Sequence, residues 1–165
     1  MDPLSPDLAR AYSDWQALRR GTLLPKRADF DPLQFRYVLG MLSLLQVYRD
    51  PLRFRYRIHG TETARWVGFD LTGKYIDEGR DPDWAAKAHH HLGHVVLSGK
   101  PSLERHFEQY IDQRTLNIEA LVLPMSVEGT TVDYLISILK PHRPAAPGLG
   151  ISQPHTEFLD LHETA

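Results

Sequence analysis

The 165-residue sequence contains no cysteine. A disulfide framework, a thiolate zinc site and a cysteine nucleophile are therefore excluded. The absence suits a reducing compartment. A strong charge of one sign is also lacking: 19 Lys and Arg stand against 21 Asp and Glu, a formal net charge of −2. That balance does not support wholesale phosphate binding, so nucleic acid is not an expected partner. Apolar runs stay at a few residues, far below the roughly 20 of a membrane span. Met1-Asp2-Pro3 opens no basic region followed by an apolar run, so no secretory signal is read there. The expected location is cytoplasmic, without membrane association. Nucleophile-elbow, GxGxxG and phosphate-cradling patterns are missing too. The expectation is a protein that is not an enzyme, with no catalytic residue and no metal site.

The rest of the composition is that of an ordinary globular chain, with 42% apolar and 24% charged residues. The length fits one domain with terminal extensions. Three segments are expected: an N-terminal helix and linker over 1–28, a domain over 29–140, and a flexible tail over 141–165.

Ser5-Pro6-Asp7 is a helix start, with a capping residue, proline at the first position and a favourable charge. Leu8, Tyr12, Trp15 and Leu18 follow as one apolar stripe. This stripe either covers the domain's own sheet or pairs with a second copy in a symmetric contact. Asp31-Pro32 predicts a second, short helix, and Leu44 to Tyr48 a strand. In Leu52 to His59, Leu52, Phe54, Tyr56 and Ile58 alternate with Arg53, Arg55, Arg57 and His59. That alternation predicts a half-buried antiparallel strand with one cationic face. The cationic face is a solvated surface or a site for an anionic ligand or acidic partner. Asp81-Pro82-Asp83 opens the longest helix, which is expected to reach Ser98-Gly99. Three strands follow, over 101–110, 115–127 and 131–140. From Pro141 onward, prolines and glycines leave little regular structure.

The order of elements gives an α+β domain. Five strands share one antiparallel sheet with helices on one face, because no βαβ alternation exists to build a parallel one. A pocket is expected between the sheet and the long helix.

This order resembles a PAS domain. The local sequence resembles the small stand-alone PAS proteins of proteobacteria. The residues that carry the likeness are Trp15, Phe30-Asp31-Pro32, Phe54-Arg55-Tyr56-Arg57, Gly60-Thr61 and Asp70-Leu71-Thr72-Gly73. They cover roughly residues 10 to 140. The resemblance implies sensing: a small-molecule ligand or a regulatory protein is bound, and a separate output protein carries the signal. It also implies a homodimer. Flavin photosensing of this family depends on a reactive cysteine, and the chain has none.

Candidate ligand-binding residues are Tyr56, Trp66, Phe69, His91, Leu92, Val95 and Tyr134. The aromatic ones lie near the expected pocket or are plain core. His89, His90, His91 and His94 stand on the long helix. His90 and His94 have the spacing of a two-histidine metal clamp, although a solvated helix face explains them as well. His89 and His91 border the apolar arc. The resemblance implies a possible axial role for one of them, since haem-binding PAS domains take their axial histidine from this helix. Glu104, His106 and Glu108 alternate on one strand face, a pattern that exposed strands show routinely.

Overall fold

The computed structural model describes residues 4–79, 81–109, 115–142 and 155–158. Helix α1 spans Pro6–Leu18. Two 3-10 segments, Arg27–Asp29 and Pro32–Met41, lead to strands β1 (Leu42–Tyr48) and β2 (Arg53–Ile58). Helix α2 (Thr61–Val67) and a 3-10 turn at Ile76–Glu78 precede α3 (Pro82–Ser98). Strands β3 (Ser102–Gln109), β4 (Thr115–Met125), β5 (Tyr134–His142) and β6 (His155–Phe158) complete the sheet. The strand order is β2-β1-β5-β4-β3-β6, and every neighbouring pair is antiparallel. Strands β1 to β5 with the helices form the five-stranded antiparallel PAS-like arrangement expected from the order of elements, and β6 extends it at the edge of β3.

The sixth strand was not expected. Residues 155–158 pair with Ser102–Arg105 on the free edge of β3, so this stretch is not a loose tail. Strand β5 likewise runs on to His142. The remainder of 143–165 lies outside the described residues.

Strand parity divides the core in two. Leu42, Leu44, Leu103, Leu121, Leu123, Ile136 and Ile138 face α1, whose Leu8, Ala11, Trp15 and Leu18 are buried against them. The Trp15 Nε1–H donates to the Pro124 carbonyl at 2.9 Å. The amphipathic stripe of α1 therefore covers the chain's own sheet. On the opposite face, Leu45, Val47, Phe54, Tyr56, Val122 and Leu135 pack beneath Ala85, Leu92 and Val95 of α3.

Helix α3 has the predicted ends. The Asp81 side chain accepts from the backbone N–H groups of Asp83 and Trp84, and Gly99 closes the helix at φ 67°. The second predicted helix is instead a 3-10 segment, interrupted by non-helical angles at Phe35. Gly60 occupies the N-cap of α2.

The alternation of β2 breaks at its end. Leu45 pairs with Tyr56 while Leu44 pairs with Ile58, so Arg57 is the extra residue of a β-bulge. The bulge reverses the parity. Ile58 joins the core under α1, and His59 leaves the cationic face for the interior. The His59 Nδ1 accepts from the Leu71 N–H at 3.0 Å, and burial pushes its pKa down. Asp70 accepts from the Thr72 N–H at 2.8 Å, and the Gly73 N–H donates to the Tyr56 carbonyl at 2.8 Å. The Asp70-Leu71-Thr72-Gly73 turn is thereby fastened to β2, with Leu71 fully buried under α3.

Candidate functional site: a cavity between the long helix and the sheet

A cavity of about 390 Å³ lies between α3 and the face of the sheet away from α1. Its floor is apolar: Leu45, Tyr56, Ala120, Val122 and Leu139. Helix α3 contributes Trp84, Lys87, Ala88, His91 and Leu92, and Asp81 and Asp83 stand at the helix start. Polar groups enter from the strands, with Ser137 on β5 and Glu104 and His106 on β3. The volume and the mix of apolar surface with a few placed polar groups are those of small-molecule sites.

The polar wall is organised around His91, which is 8% exposed. Its Nε2 lies 2.6 Å from the Ser102 Oγ, and its Nδ1 lies 3.0 Å from the Glu104 Oε2. The other Glu104 oxygen is 3.3 Å from the His106 Nδ1. Burial pushes the His91 pKa down to about 4, and His106, His94 and His90 push the same way. A neutral ring satisfies both nitrogens: Nδ1–H donates to Glu104, and Nε2 accepts from the Ser102 hydroxyl.

Serine, histidine and carboxylate thus stand in the order of a nucleophilic relay. Ser102, however, is fully buried and does not line the cavity. The arrangement fixes the tautomer of His91 and the position of Glu104.

Of the seven residues expected at the site, Tyr56, His91 and Leu92 line the cavity. Val95 is one turn further along α3 and is fully buried in the core. Trp66 packs against Ile118 and Ala120 from α2, and Phe69 packs at the edge of the core beneath α3. Tyr134 has the parity of Ile136 and Ile138. It therefore faces the α1 side, where Arg27 stacks on its ring at 5.5 Å.

Glu104 and His106, whose alternation matches an exposed strand face, instead line the cavity. The available signal was the partner strand. Glu104 pairs with Ala120 and His106 with Ile118, two apolar residues on the same buried face. The Glu108 side chain lies outside the described residues.

The other histidines of α3 separate. His90 and His94 are exposed, with ring centroids 4.4 Å apart. Among the described residues, no group of three or more His, Asp or Glu is placed to hold a metal ion. The His89 Nε2 lies 2.9 Å from the Leu52 carbonyl, beside a second, largely apolar cavity of about 310 Å³. Because both nitrogens of His91 are engaged inside the protein, this residue does not fit the axial position of a haem.

The cationic face of β2 is occupied by its own neighbours. Arg53 pairs with Asp77 at 2.8 Å, Arg55 donates to the Gly73 carbonyl at 2.8 Å, and Arg57 donates to Gln46 at 2.7 Å. Among the described residues no helix is long and apolar enough to cross a membrane.

The sheet order, the cavity under the long helix and the turn fastened to β2 define an α+β fold of the PAS type. The PAS domain family matches over residues 4–140, and the chain belongs to that family. No curated protein matches the sequence. Among solved structures, VqmA bound to DPO aligns with a TM-score of 0.52 at 12% identity, over 69% of this chain and 60% of that one. A VqmA–ligand–DNA complex of Vibrio cholerae aligns at 0.52 and 12%, over 68% and 51%. The Vibrio cholerae VqmA dimer without target DNA aligns at 0.53 and 11%, over 69% and 53%. This chain therefore spans about half to three-fifths of the length of those chains, and the likeness is one of fold.

Proposed function

We propose that this chain is a PAS-type sensory module that takes a small ligand into the cavity between α3 and the sheet and passes its state to a partner protein. The observation that carries this reading is the cavity of about 390 Å³, with an apolar floor and a hydrogen-bonded polar wall. An element that only needed packing would fill such a space with side chains. VqmA, of the same fold, is described with a bound ligand, DPO, and as a dimer.

The reading assigns binding and not catalysis. The described residues form the sensory module and little else, so output would come from another chain or segment. Homodimerisation belongs to the reading. With the α1 stripe buried on its own sheet, the dimer contact would use another surface. DNA contact is not part of it, given the net charge of −2 and the occupied arginines of β2. A cytoplasmic location completes the proposal.

Native mass spectrometry of the protein, followed by denaturing extraction, tests the central claim. A small molecule released on unfolding, or a metabolite that raises the melting temperature, is the expected result. Failure of extraction together with a flat melting response across a metabolite library would count against the reading.

A further inference from the structure

Three adjacent strands, β1, β5 and β4, build most of the cavity floor. Among the described residues they supply Leu45, Leu139, Ala120 and Val122, and one polar side chain, Ser137. Strand parity puts it there. Ile136 and Ile138 face α1, so Leu135, Ser137 and Leu139 face the other way.

The neighbours of Ser137 leave its hydroxyl unused. Its cross-strand partners are Ser43 on β1 and Val122 on β4. Val122 offers no hydrogen bond. Ser43 is buried, and its Oγ accepts from the Gly60 N–H at 3.2 Å. Backbone groups on either side are engaged by the ladders that join β5 to β1 and to β4. Among the described residues the Ser137 hydroxyl meets no hydrogen-bond partner. A molecule that covers it must replace the water it displaces or leave a buried polar group unpaired. The hydroxyl has one hydrogen and two lone pairs, so the lone hydrogen is the group a ligand must satisfy first.

We infer that Ser137 is the specificity-determining residue of the cavity. It donates to a carbonyl-type acceptor on a compact, otherwise apolar ligand, and it disfavours a hydrocarbon of the same shape. The inference rests on the reading of the cavity as the ligand site. The surrounding leucines and valine accept either molecule, so the difference lies in one hydrogen bond.

Acetophenone and α-methylstyrene test this, because they differ in shape only by a C=O in place of a C=CH2. Each is titrated into the 165-residue chain by amide NMR, with Val122 and Leu139 as reporters. Ser137→Ala should weaken acetophenone about three- to tenfold, the loss of one hydrogen bond. The affinity of α-methylstyrene should stay the same or rise. Ser137→Thr keeps a hydroxyl and should keep the ratio of the two affinities. Melting curves verify the fold of both variants, and the ratio cancels any general change in packing. Equal losses for both probes in Ser137→Ala, or an acetophenone affinity that ignores the substitution, overturns the role of Ser137 and leaves the cavity as a ligand site. No response to either probe overturns that role and the ligand-site reading together.

Discussion

The Nδ1 of His91, on α3, lies 3.0 Å from the Oε2 of Glu104, on β3. This contact joins the helix to a strand that is separated from it by a single turn. It places a titratable ring and a carboxylate on the wall of the cavity, with Ser102 holding the far side of the ring. What happens to that ring on folding decides how the protein responds to acid.

Stability is expected to fall between about pH 6.5 and 4. The His91 pKa drops from 6.5 to about 4 on folding, with burial as the main cause. In the unfolded chain the ring takes up a proton below pH 6.5; in the folded chain it resists until about pH 4. The stabilisation from the neutral ring is therefore complete above the unfolded value and is lost as the pH falls toward the folded one. The loss is about 1–3 kcal/mol. His59, pushed down by burial, acts in the same direction. Asp70 and Asp77, held below the usual carboxylate range by Thr72 and Arg53, contribute their losses at lower pH. Urea unfolding across this window measures the slope. His91→Gln should flatten it, and an unchanged slope in that variant would exclude His91 as its source.

Trp15 should be among the costliest residues to truncate. It is fully buried between α1 and the sheet and donates to the Pro124 carbonyl. Trp15→Ala is expected to cost about 3–5 kcal/mol. Trp15→Phe keeps most of the apolar surface and removes the indole donor, so part of its cost, about 1–3 kcal/mol, is that of the orphaned carbonyl. Chemical denaturation of the two variants separates the terms. A loss that depends on protein concentration would instead place α1 in a contact between copies.

Filling the cavity should separate binding from folding. Ala88 lines it from α3, where leucine is nearly as good a helix former as alanine. The added methyl groups of Ala88→Leu can enter open space instead of a packed core. Stability is expected to change by less than about 1 kcal/mol, while the affinity for a metabolite that raises the melting temperature of the native protein falls at least about tenfold. A large loss of stability with unaltered affinity would mean that Ala88 packs into the core and the metabolite sits elsewhere.

The fold was legible wherever a local pattern also decided the tertiary outcome. Asp81 and Gly99 bound α3 as caps, and the stripe of Leu8, Trp15 and Leu18 marked the buried face of α1. The site was legible only in part, because strand parity is set by pairing. Tyr134 alternates cleanly in sequence, yet the register of β5 turns it toward α1. Arg57 gives no local sign of a bulge, so the inward turn of His59 could not be read. Glu104 and His106 look like surface residues until β4 brings Ala120 and Ile118 opposite them. The strand at 155–158 depends on an edge of β3 that is more than forty positions away in the chain.

Gly60 and Gly73 are both part of the motif that carries the family likeness, but for different physical reasons. Gly60 has an ordinary φ of −55°. A Cβ there would lie 2.6 Å from the Gly40 carbonyl oxygen and 2.9 Å from that of Leu42. These are backbone atoms and cannot swing aside, so Gly60→Ala should cost about 1–3 kcal/mol or more. Gly73 has φ +80° and nothing within 4 Å of its added Cβ. Its cost is conformational, about 1–2 kcal/mol for alanine. Asparagine separates the two causes, because it tolerates the left-handed region but is larger than alanine. Gly73→Asn should therefore be milder than Gly73→Ala, and Gly60→Asn at least as harmful as Gly60→Ala. The four melting temperatures measure this directly. The same order at both positions would mean that one cause, space or conformation, governs the whole turn.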